Sequence, residues 1–305
     1  MTTHYSNGKL LLTAEYLVLN GALALAVPTV YGQSLSVKKG RLENLHWKSV
    51  DAKGEPWFSA VFSVVDARIK VLEHTSSEIA NRLQLILNAA KNLNPSFLSV
   101  FALEVTSFLS FPTDWGLGSS STLINNIAAW AEVDAYALLE ASFGGSGYDI
   151  ACAKNNTPIT YQLSGISGKE RIVMPVDFNP PFKDCLYFVY LNKKQNSQKE
   201  VRVFTAKKIG PEWIAKVSEL TQKIILCKSL VEFQDLIELH EALLAEVLDQ
   251  KPVKKVLFPD FNGSIKSLGA WGGDFILAAS SENPVTYFKS KGFETVISYT
   301  DMVKS

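Results

Sequence analysis

Through the first third of the chain, apolar residues alternate with polar ones or cluster in β-type composition. Lys9–Leu12, Tyr16–Leu19, Leu23–Val27, Gln33–Lys39, Leu45–Val50 and Trp57–Val64 each read as strands on that basis. Asp51-Ala-Lys-Gly54, between the last two, has the composition of a hairpin turn. The period then lengthens. Ile79, Leu83, Ile86, Leu87 and Ala90 fall on one face of a helix that Ser76 or Ser77 would cap and that Asn94-Pro95 would end. A strand over Leu98–Thr106 follows, then helices over Ser119–Ala131 and Asp134–Ser142, a glycine break, a short helix from about Tyr148, and a strand at Ile159–Leu163.

Glycines at 165–168 and the Pro180-Pro181 pair bracket a boundary. Beyond it come a buried strand at Cys185–Leu191 and helical patterns over Lys199–Lys208, Glu212–Lys228 and Glu232–Asp249. A short helix ending near Leu268, a strand at Phe275–Ser280, a helix after Pro284 and a strand at Thr295–Tyr299 complete the pattern. At 305 residues the chain is long enough for two domains of roughly 150 residues each. The expectation is an α+β protein with domains over 1–168 and 169–305.

Composition narrows the class. With 47% hydrophobic and 20% charged residues the chain has enough apolar mass for a packed core and too much for a disordered one. Thirty basic and thirty acidic residues cancel, so no global field recommends nucleic acid or an anionic membrane as partner. No apolar run approaches the roughly 18 residues of a membrane span. Leu10 to Leu12 is interrupted at once by Thr13 and Glu15, so the amino terminus does not read as an export signal. Cys152, Cys185 and Cys227 are odd in number and show no Cys-x-x-Cys spacing, which suits a reducing, cytoplasmic setting. His4, His46, His74 and His240 lie apart, which argues against a histidine-ligated metal.

Four segments carry candidate chemistry. Pro112-Thr-Asp-Trp-Gly-Leu-Gly-Ser-Ser-Ser-Thr122 places Gly116 and Gly118 ahead of a helix whose first amides, from Ser119 onward, point out of its end. Such an end attracts anions, and the serine hydroxyls add donors or a metal ligand. An ordinary glycine-serine helix entry has the same composition. Gly8-Lys9 opens a strand that runs on to Ala14-Glu15-Tyr16, setting a cation and a carboxylate near one strand edge, although a lysine there also suits solvent. Gly144-Gly-Ser-Gly-Tyr-Asp149 folds a glycine-rich backbone before an aspartate that could take or orient a proton, or simply cap a helix. Gly269-Ala-Trp-Gly-Gly-Asp274, just before an apolar strand, is either a tight turn or a second loop over phosphates.

In this order the segments resemble the GHMP small-molecule kinases, which include mevalonate, phosphomevalonate, homoserine and galactose kinases. Residues 8–28 are similar to the family's first motif, with Ala14 where a glycine is usual. Residues 112–122 resemble the second, which wraps ATP phosphates, and 269–274 the glycine-rich third, with Trp271 at a position usually small. The interval from Ser120 to Asp149 is shorter than the family's. Gly145-Ser-Gly-Tyr-Asp149 and Gly272-Gly-Asp274 look most like phosphomevalonate kinases, with mevalonate kinases second.

The resemblance implies an amino-terminal ribosomal-protein-like α/β domain holding most of the ATP site, a ferredoxin-like carboxy-terminal domain, and the acceptor between them. It implies ATP and Mg2+ as cofactors and a small phosphate or hydroxy-acid acceptor as partner, with a homodimer left open. Gly116, Leu117, Gly118, Ser119, Ser120 and Ser121 would hold the phosphates; Ser120 and Glu140 would hold the metal. Lys9 and Asp149 would be catalytic. Glu15, Tyr16, Ser146, Gly147, Gly272, Gly273 and Asp274 would contact substrate. Lys193, Lys194 and Ser197, in a basic loop that suits solvent equally well, would do the same. Two alternatives stay open: a decarboxylase of the diphosphomevalonate type, and a binding or regulatory protein that keeps the fold without turnover.

Overall fold

A computed structural model describes residues 1–65, 68–99, 101–164, 170–194, 204–205, 207 and 209–304. Contacts divide the chain into two compact units whose sequences interleave. One takes Met1–Gly8, Tyr31–Thr113 and Gly118–Lys154; the other takes Lys9–Val30, Asp114–Leu117 and Asn155–Ser305.

The strands reaching into the first unit are β1 (Thr2–Leu11), β2 (Ala24–Lys39), β3 (Leu45–Val50), β4 (Pro56–Val65), β5 (Arg68–His74) and β6 (Leu103–Leu109). They lie in the order β5-β4-β3-β6-β2, with β1 also on β2. All of the neighbours along that path are antiparallel except the parallel pair β3 and β6. The helices are α1 (Ser77–Leu93), α2 (Ser119–Ala131), α3 (Ala135–Ser142) and α4 (Tyr148–Lys154). Four of the five residues of the predicted α1 stripe are buried: Leu83, Ile86, Leu87 and Ala90 pack with Ile124 and Ile127 of α2 against Trp47, Phe58 and Phe62 of the sheet, and Ile79 is partly buried against them. The turn at Asp51 closes through its own carboxylate, which accepts from the Lys53 and Glu55 amides.

In the second unit β7 (Ile159–Ser164) pairs with the amino-terminal end of β2, and β8 (Glu170–Pro175) pairs with β7. Then come β9 (Leu186–Tyr190), α5 (Pro211–Leu226), α6 (Leu230–Leu248), α7 (Val253–Leu257), β10 (Ser264–Ser267) and β11 (Phe275–Ala279). The chain ends with α8 (Val285–Ser290), β12 (Val296–Ser298) and α9 (Tyr299–Met302). The sheet order is β10-β11-β9-β12, antiparallel throughout, and the connections follow a β-α-β-β-α-β order in which the first helical crossover is made by α5, α6 and α7 and the second by α8. That is the ferredoxin-like arrangement expected.

Several elements differ from the sequence reading. Tyr16–Leu19 is not a strand but leads into a 3-10 turn, Leu17–Asn20, because Tyr16 sits at φ 64° and Gly21 at φ 89°. Leu23–Val27 and Gln33–Lys39 are one strand, β2. The strand expected at Leu98–Thr106 begins at Leu103 and runs to Leu109. The helix expected to end near Leu268 is two elements, helix α7 and strand β10. Strands β5 and β8 were unread: each lies at one end of the path of paired strands and is largely polar or exposed, so its ladder partner rather than its own pattern defines it. The glycine boundary at 165–168 and most of the Lys199–Lys208 helix fall outside the described residues.

Candidate functional site

In the second unit, β1 reaches the loop ahead of α2. The Lys9 amide donates to the Leu117 carbonyl at 3.0 Å, and its ammonium donates to the Gly116 carbonyl at 3.2 Å. Gly116 holds φ 68°, and a Cβ built there would lie 2.5 Å from Cγ of Asp274. Only a residue without a side chain fits both demands. Asp274 is itself left-handed at φ 51° and 8% exposed. Its amide donates to the Lys193 carbonyl at 2.7 Å, and its carbonyl accepts from the Leu191 amide at 2.8 Å.

Aromatic packing fixes the start of the same loop. Trp115 meets Phe275 edge-on at 5.4 Å and lies 6.5 Å from Tyr190, whose hydroxyl donates to the Asp114 carbonyl at 3.2 Å. Burial pushes the Tyr190 phenol up to about 12, with Asp114 and Asp274 beside it adding to the shift. Lys9, Gly116 and Asp274, read from three separate motifs, therefore meet, and the backbone at Lys193 holds Asp274.

Glu15 and Tyr16 have a different setting from the substrate contact expected of them. Glu15 is 0% exposed; its Oε1 accepts from the Lys266 ammonium at 2.6 Å. The same ammonium lies 3.6 Å from Glu241 of α6 and donates to the Ser267 carbonyl. Glu241 accepts from the Ser267 amide and hydroxyl, both at 3.0 Å. His240, its neighbour on α6, accepts from the Ala14 amide on Nε2 at 3.0 Å. Burial holds His240 well below its usual value, with Lys266 adding to that, so the ring is neutral. The Tyr16 oxygen accepts from the Trp271 amide at 3.1 Å. Sequence reasoning missed Lys266, His240 and Glu241. One signal was available: His240 lies on the buried stripe of Phe233, Ile237 and Leu244, where a polar residue needs a partner.

The glycine-rich turn of the third motif leads directly into β11. Gly273 and Asp274 are buried and Gly272 is exposed at φ 84°. Lys193 and Lys194 are exposed, and Ser197 lies outside the described residues.

In the first unit Gly118, at φ 86°, precedes α2, which has no side-chain cap at that end. The amides of Ser119, Ser120 and Ser121 thus open the helix as read. Behind them a buried polar network ties α2 to the sheet. Thr122 donates to Gln33 Oε1 at 2.6 Å, Asn126 donates to the Gln33 carbonyl at 2.9 Å, and Ser6 donates to Asn126 at 2.7 Å. Helix α2 packs against α3 and α4. Asp149 lies half-buried in the first turn of α4, after buried Ser146 and Gly147; Glu140, near the end of α3, is exposed. Among the described residues no three or more His, Cys, Asp or Glu side chains gather in a metal-holding group. Magnesium bound mainly by phosphates and one or two protein oxygens needs no such cage.

No family model matches the chain, and no curated protein sequence matches it. Solved structures do. Phosphomevalonate kinase of Streptococcus pneumoniae, in complex with phosphomevalonate and AMPPNP, is similar with TM-score 0.69 at 16% identity, over 95% of this chain and 96% of that one. Mevalonate kinase of Methanococcus jannaschii gives 0.68 at 13% identity, over 97% and 96%. Galactokinase of Lactococcus lactis, complexed with galactose, gives 0.63 at 13%, over 99% and 94%. The fold of this chain is that of the GHMP kinases, across nearly its whole length.

Proposed function

We propose that this protein is an ATP- and magnesium-dependent kinase of a small anionic acceptor, with phosphomevalonate as first choice and mevalonate as second. The observation that supports this most is the meeting of Lys9, Gly116 and Asp274 on one loop, because it gathers the polar groups of three motifs otherwise far apart in sequence. The fold shared with three small-molecule kinases adds to it.

On this reading Gly116, Leu117, Gly118 and the amides of Ser119–Ser121 receive the phosphates of ATP. Ser120 and Glu140 would hold magnesium, which when bound neutralises charge on those phosphates. Lys9 offsets the charge that develops on the transferred group, and Asp149 orients the acceptor oxygen or takes its proton. Lys193 and Lys194, with Ser197, would bind the acceptor's phosphate or carboxylate, and Ser146, Gly147, Gly272, Gly273 and Asp274 would contact the acceptor as well. An acceptor that is itself a phosphate is already ionised near neutral pH, so charge neutralisation then matters more than base catalysis. A cytoplasmic setting belongs to the same proposal, supported by three cysteines that form no disulfide.

The test is ADP release with ATP and magnesium, offering mevalonate, phosphomevalonate and diphosphomevalonate separately while following phosphate and CO2. ADP dependent on one of the first two, without CO2, supports the kinase and names its acceptor. CO2 and phosphate from diphosphomevalonate replace the kinase reading with the decarboxylase. Silence with all three, despite ATP binding, removes these acceptors.

A further inference from the structure

The turn Ala14–Tyr16 is held from three directions, although two of its three residues resist its shape. Ala14 at φ 63° and Tyr16 at φ 64° are left-handed residues with side chains, a conformation that persists only where surroundings impose it. The Ala14 amide is taken by His240, the Glu15 carboxylate by Lys266, and the Tyr16 oxygen accepts from the Trp271 amide. Upstream, the chain runs from the turn through Thr13 and Leu12, whose amides both donate to the Leu25 carbonyl, into the strand that carries Lys9. Lys266 stands on β10 just before the turn at Gly269–Asp274, where the Leu268 amide donates to the Phe275 carbonyl.

One ammonium therefore sits at the base of both segments that bear on Gly116: the strand of Lys9, whose ammonium meets its carbonyl, and the turn of Asp274, whose carboxylate lies beside its Cα. A buried ion pair contributes little stability beyond what apolar residues of the same volume would give. What it does contribute is a fixed geometry, since an ammonium fully desolvated between Glu15, Glu241 and the Ser267 carbonyl has one arrangement that satisfies it.

We propose that Lys266 is a positioning residue for phosphoryl transfer, holding Glu15 and with it both the strand of Lys9 and the Gly269–Asp274 turn in catalytic register. The catalytic half of the proposal rests on the kinase reading above; the structural half does not.

Lys266→Met leaves Glu15 buried without its partner and is expected to destabilise the protein strongly. The informative variant is therefore Glu15→Gln with Lys266→Met, which removes both charges together. Thermal unfolding, kcat and KM, and amide hydrogen exchange are measured on it and on wild type. The expected result is a melting temperature near wild type, kcat at least about tenfold lower, and KM for ATP within about threefold. Exchange is expected to rise in 9–16 and 269–274 together. A double variant that regains wild-type kcat, keeps wild-type exchange in those segments, or fails to fold overturns the proposal, because the pair would then act through stability alone or not at all. If wild type turns over none of the acceptors, the kinase reading fails separately, and exchange still decides whether Lys266 fixes the two segments.

Discussion

The carboxylate of Asp274 occupies the space that a side chain on Gly116 would need, with Cγ 2.5 Å from where that Cβ would stand. Asp274 cannot step aside easily. Backbone hydrogen bonds to Lys193 and Leu191 hold it on either side, and its short side chain has little reach. Gly116→Ala adds the cost of a left-handed alanine to this collision and is expected to lower stability by roughly 1–3 kcal/mol in urea unfolding. Turnover is expected to fall with it. Adding Asp274→Gly should restore part of the stability by removing the collision while leaving the backbone cost. A Gly116→Ala protein as stable as wild type would contradict this packing.

Lys9→Ala and Asp149→Asn test the proposed chemistry directly. Each is expected to lower turnover by roughly two orders of magnitude or more while circular dichroism stays that of the folded protein. Lys9→Ala also removes a hydrogen bond to the Gly116 carbonyl, so ATP affinity should weaken as well. Wild-type turnover by either folded variant would remove that residue from the mechanism.

Gln33 lies on β2 yet governs the end of α2. Its amide donates to Ser107 at 2.7 Å and its oxygen accepts from Thr122 at 2.6 Å. Gln33→Leu would strip both hydroxyls of this buried partner. The expected cost is about 1–3 kcal/mol in denaturant unfolding, with weaker ATP binding because the first turn of α2 loosens. Unchanged binding of an ATP analogue would show that the network serves the core alone.

Glu241 makes stability depend on pH. Burial raises its carboxyl from 4.5 to about 7, and the charge of Glu15 adds to the rise, while Lys266 and the bonds from Ser267 oppose it. Below pH 4.5 the folded and unfolded states both hold the proton. Between 4.5 and 7 the unfolded chain releases it while the folded one keeps it, so this group destabilises the fold increasingly as pH rises, by of order 3 kcal/mol once above 7. Glu241→Gln can still accept from the Ser267 amide and removes the titration. The melting temperature of the variant relative to wild type should therefore rise from pH 5 to pH 7.5; a constant difference would show that Glu241 does not titrate in that window.

The legible parts of the sequence were those whose period reports their own burial. Helices α1, α2 and α3 begin and end close to where their stripes and caps place them, and α4 begins at the residue expected, since an amphipathic face is written every three or four residues. Short apolar runs carry no such signature. Tyr16–Leu19 read as a strand because four residues cannot distinguish a strand from a turn, and the four residues of β10 read as the end of a helix for the same reason.

The candidate chemistry divides in the same way. The sequence by itself determined which segments could approach a phosphate, because Gly116, Gly118 and the serines after them are local requirements of backbone shape and of a helix start. It also supplied Lys9, Asp149 and Asp274 as candidates. The tertiary structure decided that Lys9 reaches Gly116, that Asp274 fills the space beside it, and that Glu15 turns inward to Lys266 instead of outward to a ligand. A lysine on a short strand and a glutamate on a helix look solvated in sequence. Their burial is set by partners distant in the chain, because a desolvated charge is stable only where the fold brings its counter-charge to it.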